Sequence, residues 1–143
     1  MLDKDLIKRK IASIQNELMV LIEFENLTIE ETAKDFKTQA LVERLLERII
    51  TRAIDTNRYI IAELGAHLPF PKKHRETFLW LAELGVYSKD FAEKIAPSAG
   101  FRNALVHEYN NIDKKILQKS IKEAIQEFNE YGKYILEFLD KQK

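Results

Sequence analysis

The sequence predicts an all-α fold, an antiparallel helical bundle of four main helices with additional short ones. Apolar residues recur every three or four positions along most of the chain, which is the spacing of one buried helix face. The 143 residues include only 4 glycines and 3 prolines, so the stretches between helix breakers are long. Strand patterns are weak. We expect one domain over residues 1–143, long enough to bury a core without disulfides.

The first half of the chain predicts three helices and a loop. The first helix covers about Asp3–Glu25, and its apolar stripe consists of Leu6, Ile7, Ile11, Ile14, Leu18, Leu21 and Ile22. A capping box, threonine with glutamate three residues later, opens a short helix over about Thr28–Lys37. A long helix covers about Thr38–Leu64, and its buried face is supplied by Leu41, Leu45, Leu46, Ile49, Ala53 and Ile60. Gly65 is expected to end it in a left-handed conformation, and the two prolines of His67–Pro71 predict a loop.

The second half predicts shorter helices and one long C-terminal helix. A helix begins at residue 72 or 73 and ends at 84, and Ser88–Ala96 predicts a further helix capped by its serine. Pro97 cannot donate a backbone hydrogen bond, so we expect a kink or restart there, followed by a helix over about 101–109. Asp113 caps the last helix, whose apolar residues continue to the C-terminus.

Charge and composition exclude several classes of protein. Lys and Arg total 23, as do Asp and Glu, so the formal net charge is zero. That balance argues against a protein that coats nucleic acid through many phosphate contacts, but it permits a local basic patch. Cysteine is absent, which excludes disulfides, thiolate metal sites and a cysteine nucleophile. No signal-peptide core follows the charged N-terminus and no apolar run is long enough for a bilayer, so we expect a soluble, cytoplasmic protein without a membrane partner.

The stretch from Arg102 to Tyr109 carries the candidate chemistry. On a helix, Asn103 and His107 are one turn apart on the same face, whereas Arg102 lies about 140° from His107 around the axis. The two basic side chains would therefore flank a groove. Three apolar residues can anchor the segment in the core: Phe101, Leu105 and Val106. Tyr109 falls at or just past the helix end, where we expect its phenol to be accessible.

These residue types suit metal-independent cleavage of RNA, in which the 2′-hydroxyl attacks the adjacent phosphate and the 5′-oxygen leaves. A histidine such as His107 titrates near neutral pH and can move protons in either direction. The Arg102 guanidinium can stabilise charge on the phosphoryl oxygens, and Asn103 can orient the histidine or bind phosphate. One chain supplies one such histidine, so we expect a homodimer in which a twofold axis brings in a second. No metal site and no cofactor are predicted.

The spacing Arg-Asn-x3-His-x-Tyr at residues 102–109 resembles the signature of the HepT family within the HEPN superfamily. Further similarity occurs in the same order along the chain, at residues 40–44, 61–65, 83–86, 91–93, 99–101 and 109–113. The extended motif with these flanks is far more specific than an Arg-x4-His pair alone. Pro97 departs from the family pattern, in which the helix before the motif is often unbroken.

The resemblance implies a role that helix periodicity does not. HepT proteins are toxins of toxin–antitoxin pairs and act as ribonucleases, which here assigns RNA cleavage to Arg102 and His107. Their antitoxin, MntA, is a minimal nucleotidyltransferase that uses ATP to add AMP to the tyrosine of the motif, and Tyr109 occupies that position. Phosphates added two residues from His107 would block the cleft and repel RNA.

The remaining basic residues have structural and functional interpretations. Three arginines recur every fourth residue, namely Arg44, Arg48 and Arg52. We favour a solvated stripe paired with Glu43, Glu47 and Asp55; the alternative is contact with RNA or with the antitoxin. Three further cations could extend such a patch: Lys72, Lys73 and Arg75. His67 and His74 are expected to be solvated loop residues.

The main alternative to an enzyme is a binding module. In that case the bundle is a nucleotide-binding or regulatory subunit of a nucleotidyltransferase, and the Arg/His face holds nucleotide phosphates. Nucleotide binding without RNA cleavage would favour this alternative. A third possibility, a purely structural bundle, requires that the motif residues be replaceable without loss of any activity.

Overall fold

A computed structural model describes residues 1–28, 30–31, 35–107 and 113–142. Its helices are α1 (Lys4–Ile22), α2 (Phe36–Leu64), α3 (His74–Glu83), α4 (Lys89–Ile95), α5 (Ser98–His107) and α6 (Lys114–Lys141). Across the described ranges there is no β-strand. The predicted all-α class is confirmed. Three long helices, α1, α2 and α6, form the body of the bundle, and the short helices α3 to α5 lie between α2 and α6 in the chain.

Helix α1 runs antiparallel to both α2 and α6. The N-terminal amino group lies 3.1 Å from the Glu63 carboxylate near the end of α2, and the Lys4 ammonium donates to the Gln142 carbonyl just after α6. Three aromatic rings fill the centre of the bundle: Phe78, Phe128 and Tyr131. They are fully buried and meet edge to face at centroid distances of 5.9 to 6.5 Å, so α3 and α6 share one packed core.

Polar caps set most of the helix starts. At the residue before each of four helices, a side chain accepts a hydrogen bond from a backbone N–H of the first turn. These residues are Asp3, Asp35, Ser88 and Asp113. The predicted caps at Ser88 and Asp113 are confirmed. Asp35 was missing from the prediction, and it starts α2 at Phe36, two residues before the predicted Thr38. A helix over Thr28–Lys37 is therefore wrong at its end, because Asp35 is already non-helical.

The start of that short helix agrees with the prediction. The Thr28 hydroxyl accepts the Glu31 N–H at 3.0 Å, which is the first half of the capping box. Glu30 and Glu31 are helical, and residues 29 and 32–34 lie outside the described part of the chain.

Glycines follow the ends of α2 and α3, and the second of them is left-handed. Gly65 does end α2, but its φ of −106° is not left-handed, so that prediction is wrong. Its backbone approaches α2 closely, and an added Cβ would lie 2.9 Å from the Ile61 carbonyl oxygen. Gly85, after α3, is the left-handed residue with φ 83°. The N–H of Val86 reaches the carbonyl of Leu81 at 3.0 Å, which closes the motif typical of a helix that ends in a left-handed glycine.

The predicted apolar faces of α1 and α2 are largely buried, with two exceptions. Ile22 is 48% exposed and Leu41 is 44% exposed, so neither belongs to the core. Helix α1 ends at Ile22 rather than near Glu25, because the following N–H groups bond to carbonyls three residues back. Within the described residues, none of the helices combines the length and apolar character that a bilayer crossing requires.

Candidate functional site

The helix that carries the motif starts at a proline break. Helix α4 ends at Ile95 and α5 begins at Ser98, so Pro97 separates them. The Pro97 carbonyl accepts hydrogen bonds from the N–H groups of Gly100 (3.1 Å) and Phe101 (3.2 Å), which form the first turn of α5. Proline suits this position because its missing N–H would have no partner at a helix start. The predicted restart is confirmed, and the motif begins on a helix of its own.

Helix α5 turns an apolar side toward the bundle and a polar row toward solvent. Of the three predicted anchors, Leu105 is buried and Phe101 packs half-buried against the core, whereas Val106 is half-buried and is not among the residues packed there. Asn103 and His107 are exposed and lie four residues apart, in one row with Gly100. His107 is the last residue of α5. The predicted row of Asn103 and His107 on one face of the helix is therefore observed, whereas neither Arg102 nor His107 lines the cleft described below.

Arg102 leaves this row and reaches across to α2. Its Nε donates to the Thr51 hydroxyl at 3.1 Å, and its Nη1 lies 3.4 Å from the Asn103 side-chain oxygen. Two of the five guanidinium N–H groups are thus directed by the protein, and the side chain is half-buried. Asn103 was predicted to orient His107 or to bind phosphate. In the described residues it has no hydrogen bond to His107, and its amide instead accepts from Arg102.

A cationic cleft adjoins this part of α5. The cleft has a volume of about 330 Å³ and lies between α2, the start of α3 and α5. Four cations line it, together with His74 and Asn103: Arg58, Lys72, Lys73 and Arg75. Among the described residues, no acidic side chain lines it. Gly100 forms part of the wall, and an added Cβ there would have no neighbour within 4 Å, so the cleft is open beside the motif.

His74 is a site residue that sequence analysis assigned to a solvated loop, and that assignment is wrong. It is the first residue of α3 and is half-buried in the wall of the cleft. Burial lowers the pKa of His74, and the nearby charges of Arg58 and Arg102 lower the pKa further against the opposing effect of Asp55. His74 is therefore biased toward the neutral imidazole, which can donate from one ring nitrogen and accept at the other.

A buried hydrogen-bond chain fixes the backbone beneath His74. The Tyr131 hydroxyl donates to the Asn57 side-chain oxygen at 2.5 Å, and the Asn57 amide donates to the Thr77 hydroxyl at 3.1 Å. Thr77 in turn donates to the His74 carbonyl at 2.7 Å. These groups come from α6, α2 and α3. The core therefore sets the position of His74 relative to α2, which forms the opposite wall of the cleft.

The arginine stripe lies on a different part of α2 and is largely neutralised. Arg44 pairs with Glu47 at 2.6 Å, as predicted. Arg48 and Arg52 do not pair with the other predicted carboxylates, because both converge on Glu17 of α1, with Arg48 at 2.8 Å. Glu17 lies 31 positions before Arg48 and 35 positions before Arg52, so helix spacing could not indicate these pairs. The net positive surface beside the motif is thus the cleft rather than the stripe.

One predicted site residue cannot be compared with the structure. Tyr109 lies outside the described residues, as does its neighbour Glu108. Within the described residues, no group of three or more His, Asp or Glu side chains is arranged to hold a metal ion. His67 is exposed in the loop after α2, where it was predicted.

Arg58 lines the cleft but was not predicted as a site residue. Its approach to His74, 16 positions later, depends on the packing of α2 against α3. The sequence does contain a signal for the cleft as a whole, which is the run of four basic residues after Pro71, with His74 as the third. Such a run beside a proline loop indicates a local positive surface even when the net charge of the chain is zero.

Comparison with known proteins identifies the family of this chain and supports its fold. The family model described as ribonuclease HepT-like matches residues 9–135. The tRNA nuclease HepT of Aphanizomenon flos-aquae is 33% identical over 134 residues, which cover 94% of this chain and 90% of that protein. The chain therefore belongs to the ribonuclease HepT-like family. Both the predicted HepT membership and the predicted enzyme class, a ribonuclease, are confirmed.

Solved structures share the fold at lower identity. YutE of Bacillus subtilis, a cytosolic protein of unknown function, has a TM-score of 0.80 at 18% identity, covering 97% of this chain and 92% of that one. A tri-AMPylated HEPN toxin of Shewanella oneidensis, in complex with an MNT antitoxin, has a TM-score of 0.79 at 23% identity. That match covers 94% of this chain and 98% of the toxin, and it confirms the predicted HEPN-like bundle.

Proposed function

We propose that this chain is the toxin of a toxin–antitoxin pair and that it cleaves RNA without a metal ion, using Arg102 and His107 as catalytic residues. The observation that carries the proposal is the position of the motif: Asn103 lies in the wall of a cleft lined by cations, with Arg102 bonded to it. The family and the tRNA nuclease relative support RNA as the substrate, and transfer RNA as its class.

The cationic cleft is the proposed binding site for an RNA phosphate. Lysine and arginine side chains neutralise phosphates and release the counterions around them, which drives association. Lys72, Lys73 and Arg75 follow one another around His74 at the start of α3, so several donors converge on a small volume. A neutral His74 adds a hydrogen-bond donor for a phosphate oxygen at little cost in charge repulsion.

The reaction is an internal transfer at phosphorus. His107 removes the proton from the ribose 2′-hydroxyl, the 2′-oxygen bonds to phosphorus, and the bond to the 5′-oxygen breaks. An acid gives a proton to the leaving 5′-oxygen, so the products are a 2′,3′-cyclic phosphate and a 5′-hydroxyl. Arg102 stabilises the negative charge on the phosphoryl oxygens through its free N–H groups. Asn103 acts by holding the Arg102 guanidinium.

A homodimer completes this mechanism. The base and the acid must stand on opposite sides of the scissile phosphate, and His107 is exposed at the end of α5, where a second copy can approach. A twofold axis near this point brings two His107 side chains to one cleft, one as base and one as acid.

The antitoxin is a nucleotidyltransferase of the MntA type that adds AMP to Tyr109. The complex of an AMPylated HEPN toxin with an MNT antitoxin supports this assignment by analogy of fold. Tyr109 is two residues beyond His107 in sequence, so added phosphates would carry negative charge to the position that RNA phosphate must occupy. The arginine stripe (Arg44, Arg48 and Arg52) is the alternative contact surface for RNA or antitoxin. We favour the cleft instead, because the charges of the stripe are already paired. The predicted cytoplasmic location remains part of this proposal.

Single substitutions test the catalytic assignment. Purified wild-type chain should cut a transfer RNA and leave a 2′,3′-cyclic phosphate, as mass spectrometry of the fragments would detect. His107→Ala and Arg102→Ala should each lower the cleavage rate by about 10²- to 10⁴-fold, which is typical of a lost proton-transfer or charge-stabilising group. Matched controls are His67→Ala and Arg9→Ala, which remove exposed side chains of the same types far from the motif in sequence.

The outcomes separate the proposal from its rivals. Full cleavage by a helical His107→Ala protein would eliminate the catalytic role. Tight nucleotide binding with no RNA cleavage by any form of the protein would favour the regulatory-subunit alternative. After incubation with the antitoxin and ATP, added AMP should appear on the peptide that contains Tyr109 and should be absent in Tyr109→Phe.

A further inference from the structure

A second, apolar groove adjoins the cationic cleft at the end of α2. It has a volume of about 330 Å³ and lies between the last turns of α2 and the proline loop that follows. Its walls are mostly apolar side chains, among them Ile61, Leu68, Pro69 and Phe70. The Phe70 side chain is 79% exposed, so this aromatic ring is left in water at the edge of the groove.

The groove is formed in advance of any ligand. The Trp80 indole N–H donates to the Pro69 carbonyl at 2.6 Å, which ties the loop to α3. The Leu68 N–H donates to the Gly65 carbonyl at 2.9 Å, and Pro71 is buried. A preformed apolar site spares its ligand the cost of ordering a loop on binding.

Arg58 connects this groove to the cleft. Its side chain lines both cavities, and Pro71 of the groove is followed directly by Lys72 of the cleft. A ligand that fits the pair of cavities must therefore combine an anionic group with a flat apolar group beside it. A nucleotide has this combination, since each phosphate is linked through one sugar to a base. An arginine at the junction can hold a phosphate and stack its planar guanidinium on a base.

We propose that the apolar groove binds one unpaired nucleobase of RNA, namely the base next to the phosphate that occupies the cationic cleft. Phe70 stacks on the base, and Arg58 bridges base and phosphate. The inference rests on the proposed function, because the cleft must hold an RNA phosphate. It adds that the RNA bound beside the motif is single-stranded, since a paired base cannot turn into the groove.

The chain offers a matched control for Phe70. Phe36 is 81% exposed and stands at the first residue of α2, at the opposite end of that helix from the groove. Phe36→Ala therefore removes an equally exposed ring without touching the groove. Phe70→Trp keeps an aromatic face, whereas Phe70→Ala removes it.

The test measures binding of a short single-stranded RNA with 2′-O-methyl groups, which cannot undergo the cleavage reaction. Fluorescence anisotropy should show a Kd that rises roughly 5- to 150-fold for Phe70→Ala, the range expected for loss of one base–aromatic stack. Phe70→Trp and Phe36→Ala should bind like wild type. An otherwise identical RNA with abasic sites should bind wild type and Phe70→Ala equally.

The possible failures are distinguishable. If wild-type protein cleaves transfer RNA but Phe70→Ala binds the oligonucleotide as tightly as wild type does, the groove proposal is wrong and the proposed function stands. If no form binds or cleaves RNA, both are wrong. If Phe70→Ala converts a dimer to a monomer in sedimentation and its binding loss persists with abasic RNA, the groove is a contact between copies and the base-binding proposal is overturned.

Discussion

Arg102 donates from its Nε to the hydroxyl of Thr51 at 3.1 Å, and this bond joins the motif helix to the middle of α2. The two residues are 51 positions apart, so the contact exists only in the folded chain. It directs an arginine that would otherwise sample many rotamers in solvent. A guanidinium held in one orientation loses less conformational entropy when it binds a phosphate.

Loss of the Thr51 hydroxyl should weaken catalysis without unfolding the protein. Thr51→Val preserves the shape of the side chain but removes the acceptor for Arg102. We expect kcat for RNA cleavage to fall about 10-fold or more, because a hydrogen bond to a charged group contributes about 1.5–3 kcal/mol. Thr51→Ser should restore most of the rate. Equal rates for the valine and serine variants would show that this bond does not position Arg102.

Filling the cleft from Gly100 should block RNA. An added Cβ has no neighbour within 4 Å, so Gly100→Ala should fold well and gain about 0.5–1 kcal/mol of helix stability. Gly100→Glu adds a carboxylate among the cations and should raise the Kd for RNA at least 10-fold. Gly100→Gln has the same size without the charge and separates steric from electrostatic effects. Normal affinity in the glutamate variant would place the RNA elsewhere.

The salt dependence of binding should distinguish the cleft from the arginine stripe. For single-stranded nucleic acid, the slope of log K against log salt is about −0.7 per neutralised phosphate. The double substitution Lys72→Ala with Lys73→Ala should reduce the steepness of that slope by about 0.7 to 1.4. Arg44→Ala, on the stripe, should leave the slope unchanged. The reverse pattern would move the phosphate contacts to the stripe.

The hydrogen-bond chain beneath His74 should be costly to break. Tyr131→Phe removes the donor to the buried Asn57 oxygen, which has no access to water in its place. We expect the free energy of unfolding in urea to fall by about 1–3 kcal/mol. Tyr134→Phe, on the same helix but half-buried, is the matched control and should change it little. If both variants unfold at the same urea concentration, the buried chain contributes nothing measurable.

The stability of the protein should depend on pH through Glu127. The pKa of Glu127 is raised to about 7, mainly by burial and also by the charges of Glu123 and Glu130, against the opposing effect of Lys94. The pKa of Glu127 in the folded protein exceeds its unfolded value of 4.5. Its protonated carboxyl therefore contributes fully to the free energy of unfolding below about pH 4.5, and this contribution is lost as the pH rises through 7. Glu127→Gln should therefore stabilise the protein at pH 8, by about 1 kcal/mol for a partly exposed group, and have little effect at pH 5.

Thermal unfolding of Glu127→Gln at the two pH values provides the measurement. Glu137→Gln, an exposed glutamate on the same helix, is the control and should show no such difference. A wild-type stability that is constant from pH 5 to 8 would contradict the expectation.

Local signals in the sequence were enough to predict the helices and the motif face. Ser88 and Asp113 mark helix starts because a cap acts within one turn, and the row of Asn103 and His107 follows from helix geometry alone. The cleft could not be predicted in the same way. Arg58 and His74 meet only because α2 packs against α3.

Other errors in the prediction concern ion-pair partners and a helix end. Arg48 and Arg52 were assigned partners on their own helix, but the carboxylate they share, that of Glu17, belongs to α1. Gly65 was expected to be left-handed because glycine often is after a helix, yet its role is to allow a close approach to the Ile61 carbonyl. A tertiary contact decides the partners of the two arginines, whereas a local contact within the last turn of α2 decides the role of Gly65.

The break at Pro97 makes the motif helix a unit that can open by itself. Helix α5 has only 10 residues, of which Ala99 and Leu105 are buried, whereas α2 has 29 residues with a buried face along its length. A helix that short is marginal without its packing partners, so its local opening requires less free energy than global unfolding. Amide hydrogens of α5 should therefore exchange with deuterium well before those of α2. A partner that recognises the opened segment could then act on the motif while the bundle stays folded.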